Sequence, residues 1–185
     1  ASDTSGPFQI VWNNAAAGTH TLTAKAADNS GATATSGSVT ITVASALPSL
    51  SIADVIIAED TSTNVNFTIS DVDNSTQDLV VSFSSSNTGV LPMSGIILGG
   101  SGGNRTLSLT PATNQFGTST VTVTAGDGQA SASRQFLVTV NSVNDRPTIS
   151  DIPNQSTVAN TAIGPIGFTV GDVDTGLGSL SVTAS

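Results

Sequence analysis

The sequence predicts an all-β chain, built as a tandem array of antiparallel Greek-key β-sandwiches. Three observations lead there. Apolar and hydroxyl residues alternate with period two. The apolar runs are short and punctuated by turn residues. The same motifs also return about one hundred residues apart, the size of one sandwich domain.

The alternation is clearest in two stretches. Thr21, Thr23 and Lys25 interleave with Leu22, Ala24 and Ala26, and Thr120, Thr122 and Thr124 interleave with Val121, Val123 and Ala125. Period two places one set on a buried face and the other in solvent. Further strands are predicted at 50–57, 64–70, 79–84, 95–98, 105–110 and 133–140. Between them stand Asn-Thr-Gly, Gly-Gly-Ser-Gly-Gly and Gly-Asp-Gly, which are turn signals. No run holds a helical period.

The repeat sets the boundaries. Pro48-Ser-Leu-Ser-Ile52 returns as Pro147-Thr-Ile-Ser-Asp151, and Asp71-Val-Asp73 returns as Asp172-Val-Asp174. The stretch from His20 to Asp28 aligns with Ser119 to Asp127. Residues 45–144 therefore form one complete unit. Residues 1–44 match its back half and residues 145–185 its front half, as in a longer array. Proline follows the last strand in both linkers, Ala44–Pro48 and Asn141–Pro147, and stiffens the path into the next unit.

Composition narrows the function. Lys and Arg total 4 against 13 Asp and Glu, for a net charge of −9. Such a surface repels phosphate and predicts no nucleic-acid partner. No apolar run is long enough for a transmembrane helix. Cysteine is absent, which removes disulfides, thiolate chemistry and Cys-based zinc sites. Ser and Thr make 54 of the 185 residues, and tyrosine is absent. No acid pair with a base, Cys/His cluster or phosphate loop is present, so no enzyme is expected. His20, the one histidine, aligns with Ser119 and reads as a strand-end residue. Gly99–Gly103 lacks the Lys-Ser/Thr of a phosphate loop and reads as a flexible hairpin connection. Trp12 reads as a core ring opening a strand, and Arg105 and Arg134 as surface partners of nearby acids.

Several ordered markers carry a family resemblance. They are Ala58-Glu-Asp60, Ser70-Asp-Val-Asp73, Thr110-Pro-Ala-Thr-Asn-Gln-Phe-Gly117, Ala125-Gly-Asp-Gly128 and Val143-Asn-Asp-Arg-Pro147. In this order they resemble the bacterial cadherin-like and immunoglobulin-like repeats of large surface or secreted proteins. The resemblance implies immunoglobulin-like (cadherin-like) sandwiches and a non-catalytic spacer or adhesive segment. It also implies an extracellular or cell-surface setting. Neighbouring repeats are the implied partners, with a cell-surface protein or glycan beyond them. The alternative is a carbohydrate- or protein-binding accessory module of a secreted enzyme.

The resemblance further implies calcium between domains. In such arrays the ion draws on a Glu at the base of one domain, an Asn-Asp linker, and an Asp-x-Asp of the next. Here those positions are Glu59, Asn144, Asp145, Asp172 and Asp174, which predicts one ion at the 144/147 junction. Calcium takes six to eight oxygens, and paired carboxylates repel until a cation lies between them. The linker 44–48 carries no acid, so no ion is expected there. Asp28 and Asp127 read as turn residues. The matching half units also suggest head-to-tail self-association between two copies.

Overall fold

The computed structural model describes residues 6–183. The outermost residues of both half units, 1–5 and 184–185, lie outside the described residues.

The first half unit forms two short hairpins. β1 (Gly18–Leu22) pairs with β4 (Val39–Val43), and β2 (Lys25–Ala27) pairs with β3 (Thr33–Thr35). The predicted strand at Val11–Trp12 does not form. Trp12 instead lies 41% exposed, with its ring edge-on to His20 at 4.8 Å between centroids. His20 Nε2 bonds the carbonyl of Ala16 at 2.7 Å. A ring can be core only where a second sheet covers it, and none does so among the described residues.

The complete unit holds eight strands. They are β5 (Ser49–Ser51), β6 (Val55–Ala58), β7 (Thr63–Ser70), β8 (Val80–Ser85), β9 (Ile96–Ser101), β10 (Asn104–Leu109), β11 (Gly117–Gly126) and β12 (Ser131–Asn141). They make two four-stranded sheets, ordered β5-β7-β10-β9 and β6-β12-β11-β8. The predicted single strand 50–57 is two strands, split at Ile52–Asp54. The chain crosses between sheets there, so β5 pairs antiparallel to β7 while β6 pairs parallel to β12. The alternation changes phase at the break: Leu50 and Ile52 face the core in the first piece, Val55 and Ile57 in the second, with Ala53 and Asp54 exposed between them.

Among the described residues, every buried apolar side chain of the core comes from this unit. Val65, Phe67 and Ile69 of β7 point inward, as do Leu107 and Leu109 of β10, Val121 and Val123 of β11, and Phe136, Val138 and Val140 of β12. Full burial of each such side chain stabilises by roughly 1.5–3 kcal/mol. Ser119 is the polar exception on β11. Its hydroxyl bonds Ser85 Oγ at 2.8 Å and accepts from the Asn87 N–H at 3.1 Å.

The glycine run is tight rather than flexible. Gly99–Ser101 belong to β9, and a Cβ on Gly100 would lie 2.5 Å from the Asn104 carbonyl oxygen. Arg105 shares the inward side of β10 with Leu107. Its guanidinium donates to the carbonyls of Thr76 (3.2 Å) and Gly100 (3.4 Å) rather than to an acid, and so ties down the loop after β7.

The last half unit adds β13 (Thr148–Ile149), paired with β14 (Val170–Gly171). Among the described residues no helix is long and apolar enough to cross a membrane, which says nothing about strands.

Candidate functional site

The acidic residues gather at the two ends of the complete unit, each beside a linker. At the 44–48 end, the loop after β7 brings Asp71 and Asp73 next to Asp127 in the β11–β12 turn. One carboxylate oxygen from each lies within 4.8 Å of the others. Asp71 Oδ1 accepts from the N–H groups of Asp73 (3.0 Å) and Asn74 (3.2 Å), which folds the loop around it. Its Oδ2 is buried and has no partner. Asp127 Oδ1 accepts from Gln129 and Ala130 N–H at 2.7 and 2.6 Å, the turn bonding the sequence predicts. Its Oδ2 does something further: it accepts from the Ser45 hydroxyl at 2.6 Å and Asn74 Nδ2 at 2.7 Å. The Ala46 N–H donates to Asp73 Oδ2 at 3.1 Å.

These bonds shift the acids. The N–H of Ala130, then the Ser45 hydroxyl and the N–H of Gln129, hold the Asp127 carboxyl at about 2. The Ala46 N–H, then Asp71, hold Asp73 below the usual aspartate range. Donors aimed at a carboxylate favour its charged form. The linker thus supplies donors to the domain's acids without contributing an acid of its own.

The 144–147 end uses the same device. Asp172 Oδ1 accepts from Asp174 N–H (2.9 Å) and Thr175 N–H (2.7 Å), as Asp71 does one repeat earlier. The Asp145 N–H donates to Asp174 Oδ2 at 2.6 Å, as Ala46 does to Asp73. Two differences matter. Here the linker residue is itself an acid, and the preceding domain adds Glu59 and Asp60.

Glu59 is almost fully buried, at 1% exposure. Its Oε1 accepts from the Val143 N–H at 2.9 Å, while Oε2 is enclosed without a partner. Asp60 takes a left-handed φ of 56°, as does Asn114 at 55°. Asp60 Oδ1 accepts the Asn114 N–H at 2.9 Å. The Asn114 amide, with its nitrogen toward the acids, donates to Asp60 Oδ2 (3.1 Å) and Asp145 Oδ2 (3.3 Å). Loss of hydration, then the charges of Asp174, Asp60 and Asp172, push the Asp145 carboxyl above its usual range. Asn144 turns its amide to the Asp145 carbonyl at 2.7 Å.

Of the predicted ligand set, Asp145, Asp172 and Asp174 are linked by backbone N–H bonds, but among the described residues only Asp71, Asp73 and Asp127 bring three carboxylate oxygens within 4.8 Å of one another. Glu59 is anchored to the linker at Val143, and Asn144 is turned back onto the linker itself. Sequence reasoning missed the other cluster, Asp71, Asp73 and Asp127. Its signal was present, since Asp71-Val-Asp73 is the repeat counterpart of Asp172-Val-Asp174. The acid-free linker concealed it, because the third acid comes from a turn more than fifty residues away. Asp60 and Asn114 were missed for the same reason of long range.

Residues 46–141 match the bacterial Ig domain family, over more than half of the chain. The chain belongs to the bacterial Ig domain family. Such Ig domains are non-catalytic structural or adhesive modules as a rule, typical of surface or extracellular proteins. No curated protein matches the chain. Among solved structures, titin domains Z1Z2 in complex with telethonin are similar at 16% identity and a TM-score of 0.42. That match covers 60% of this chain and 55% of that one, so the chain spans about half of the titin pair. Domains 4 and 5 of the S-layer protein SbsC are similar at 16% identity and a TM-score of 0.41, covering 58% and 62%. A titin M4 structure is similar at 14% identity and a TM-score of 0.40, covering 54% and 100%.

Proposed function

We propose that this chain is a non-catalytic spacer and adhesive segment of a large extracellular bacterial protein, whose joints are stiffened by calcium. The observation that carries the reading is the acid cluster of the 144–147 joint. Asp145 is held against Asp174 by its own N–H, close enough to Asp172 and Asp60 for their charges to disfavour its ionisation. A divalent cation relieves that repulsion and converts it into attraction.

The donor set fits a hard cation. It is all oxygen and carries several carboxylates, and the enclosed Glu59 Oε2 has a free lone pair at the same end. Asp145, Asp172, Asp174 and Glu59 are the residues that would hold the ion. Asn144 joins them only if its amide leaves the Asp145 carbonyl. The 44–48 joint supports the same reading through Asp71, Asp73 and Asp127, with Asp71 Oδ2 also lacking a partner. When bound, calcium cross-links a linker to the domains on either side. The chain's own residues already hold each linker to its Asp-x-Asp loop by an N–H bond, which sets the angle that the ion then fixes.

Thermal unfolding and small-angle scattering, with millimolar calcium against excess chelator, test this. The expected result is a higher melting point and a longer maximum dimension in calcium. Asp174→Asn should lose part of the gain, and Asp174→Asn with Asp73→Asn should lose it all. Identical curves in calcium and chelator would overturn the proposal and leave hydrogen-bonded joints alone.

A further inference from the structure

Near the start and end of the complete unit, two strands lie side by side and run the same way. β6 pairs parallel to β12, from Val55 opposite Val138 to Ala58 opposite Asn141. Carboxylates carry this ladder past both of its ends. The Leu137 N–H, one residue before the register, donates to Asp54 Oδ1 at 2.7 Å. At the other end the Glu59 N–H donates to the Asn141 carbonyl at 2.9 Å, and the Val143 N–H to Glu59 Oε1 at 2.9 Å. Hydrogen bonds to an ionised acceptor are roughly twice as strong as neutral ones. Ile57, Val138 and Val140 are buried along the seam, and so is Glu59, which keeps water from competing for its bonds.

These two strands are also the ones that the linkers pull. The 44–48 linker enters beside the β11–β12 turn, at Asp127, and leads through β5 into β6. The 144–147 linker leaves beyond Asn141, at the far end of β12. Tension along the chain therefore draws β6 toward one end of the unit and β12 toward the other. Parallel strands drawn this way slide along their length, so every bond of the seam is strained at once. Pulling both strands from one end would instead open the bonds one at a time. β5 precedes β6 on the loaded path, but only the pairs at Ser49, Leu50 and Ser51 hold it to β7, so the longer seam behind it takes the load.

We propose that β6 and β12 form a mechanical clamp, with Asp54 and Glu59 as its load-bearing ends, which holds the complete unit folded under tension. The proposal rests on the reading of the chain as a segment through which load passes, but not on calcium. Asp54 lies outside both acid clusters, and the seam is bonded without an ion. Forced unfolding is governed by the unfolding rate rather than by equilibrium stability. Bonds that must break before the transition state slow it, and bonds still intact there do not. The seam bonds are of the first kind. The Ser85–Ser119 pair, which faces β8 rather than β6, is of the second.

Constant-force stretching of the whole 185-residue chain, in excess chelator, tests this. The chain has no cysteine, so handles can be attached at chosen pairs of exposed positions. Leu47→Cys with Arg146→Cys loads the seam lengthwise. Ser62→Cys with Arg146→Cys pulls both strands from the Glu59 end and peels them apart. At the same force the lengthwise pair should survive at least ~10-fold longer. In that geometry Asp54→Ala should shorten the lifetime about 10-fold, the worth of one hydrogen bond to a charged group. Asp54→Asn keeps an acceptor oxygen and should recover most of the loss. Under peeling, Asp54→Ala should change little, because its bond lies at the far end of the seam. Ser119→Ala should lower the melting point yet leave the lengthwise lifetime unchanged. Equal lifetimes in the two directions would overturn the proposal. So would a lengthwise lifetime that falls as far for Ser119→Ala as for Asp54→Ala. The chelator keeps the two readings apart, since joints that ignore calcium leave these lifetimes as they are.

Discussion

Ser119→Ala isolates the polar knot inside an otherwise apolar core. Ser119 is 1% exposed, between the inward positions Val121 and Gly117 of β11. Its oxygen accepts the Asn87 N–H at 3.1 Å and meets the Ser85 hydroxyl at 2.8 Å, which in turn donates to the Leu91 carbonyl at 2.7 Å. Leu91 is fully buried, so this chain of bonds pins the loop after β8 onto the sheet. Alanine removes the acceptor of the Asn87 N–H and leaves it unpaired. An unpaired, partly buried N–H costs about 1–3 kcal/mol. For a domain near 100 residues that lowers the melting point by about 5–15 °C. Urea unfolding followed by far-ultraviolet circular dichroism is the assay, because Trp12 lies outside the complete unit and tyrosine is absent. Ser85→Ala combined with Ser119→Ala should cost less than the sum of the two, since each hydroxyl is the other's partner. A single-variant loss below about 0.5 kcal/mol, or strict additivity, would refute the assignment of a coupled knot.

Other expectations concern the joints and the backbone. Asp145 has its folded value raised, so the folded state binds its proton more tightly and that contribution fades as pH rises. Asp145→Asn should therefore raise the melting point at neutral pH in chelator, with no gain near pH 3, while reducing the response to calcium. Asp127 behaves oppositely. Held at about 2 against an ordinary 3.8, it contributes stability above pH 3.8 that is lost as pH falls toward 2. Acid titration should show wild type losing stability across that window and Asp127→Asn losing less. Gly95→Ala should destabilise strongly, by more than about 3 kcal/mol in denaturant, because its Cβ would collide with the Thr110 carbonyl oxygen, which is fixed backbone. A soluble variant with an unchanged midpoint would contradict the β9–β10 geometry.

What the sequence determined by itself was the periodic part of this protein. Alternation set which face of most strands is apolar, and the ordered markers carried the likeness to the bacterial Ig domain family that residues 46–141 match. Even Asp71-Val-Asp73 and Asp172-Val-Asp174 were legible as equivalents. Those signals are local, or recur at a constant offset, so a linear reading reaches them. The tertiary structure alone decided where distant residues meet. It split 50–57 between two sheets, because strand partners, not alternation, choose the sheet. It left Trp12 41% exposed and edge-on to His20, because no second sheet packs on that ring among the described residues. It brought Asp127 to Asp71 and Asp73 across more than fifty residues, and set Asp60 and Asn114 beside Asp145. It also showed that a linker without acids can still engage an acidic cluster, because a backbone N–H and a serine hydroxyl are enough to dock it. Side chains become a site only when the fold closes the distance between them, and that distance is the one quantity a sequence does not contain.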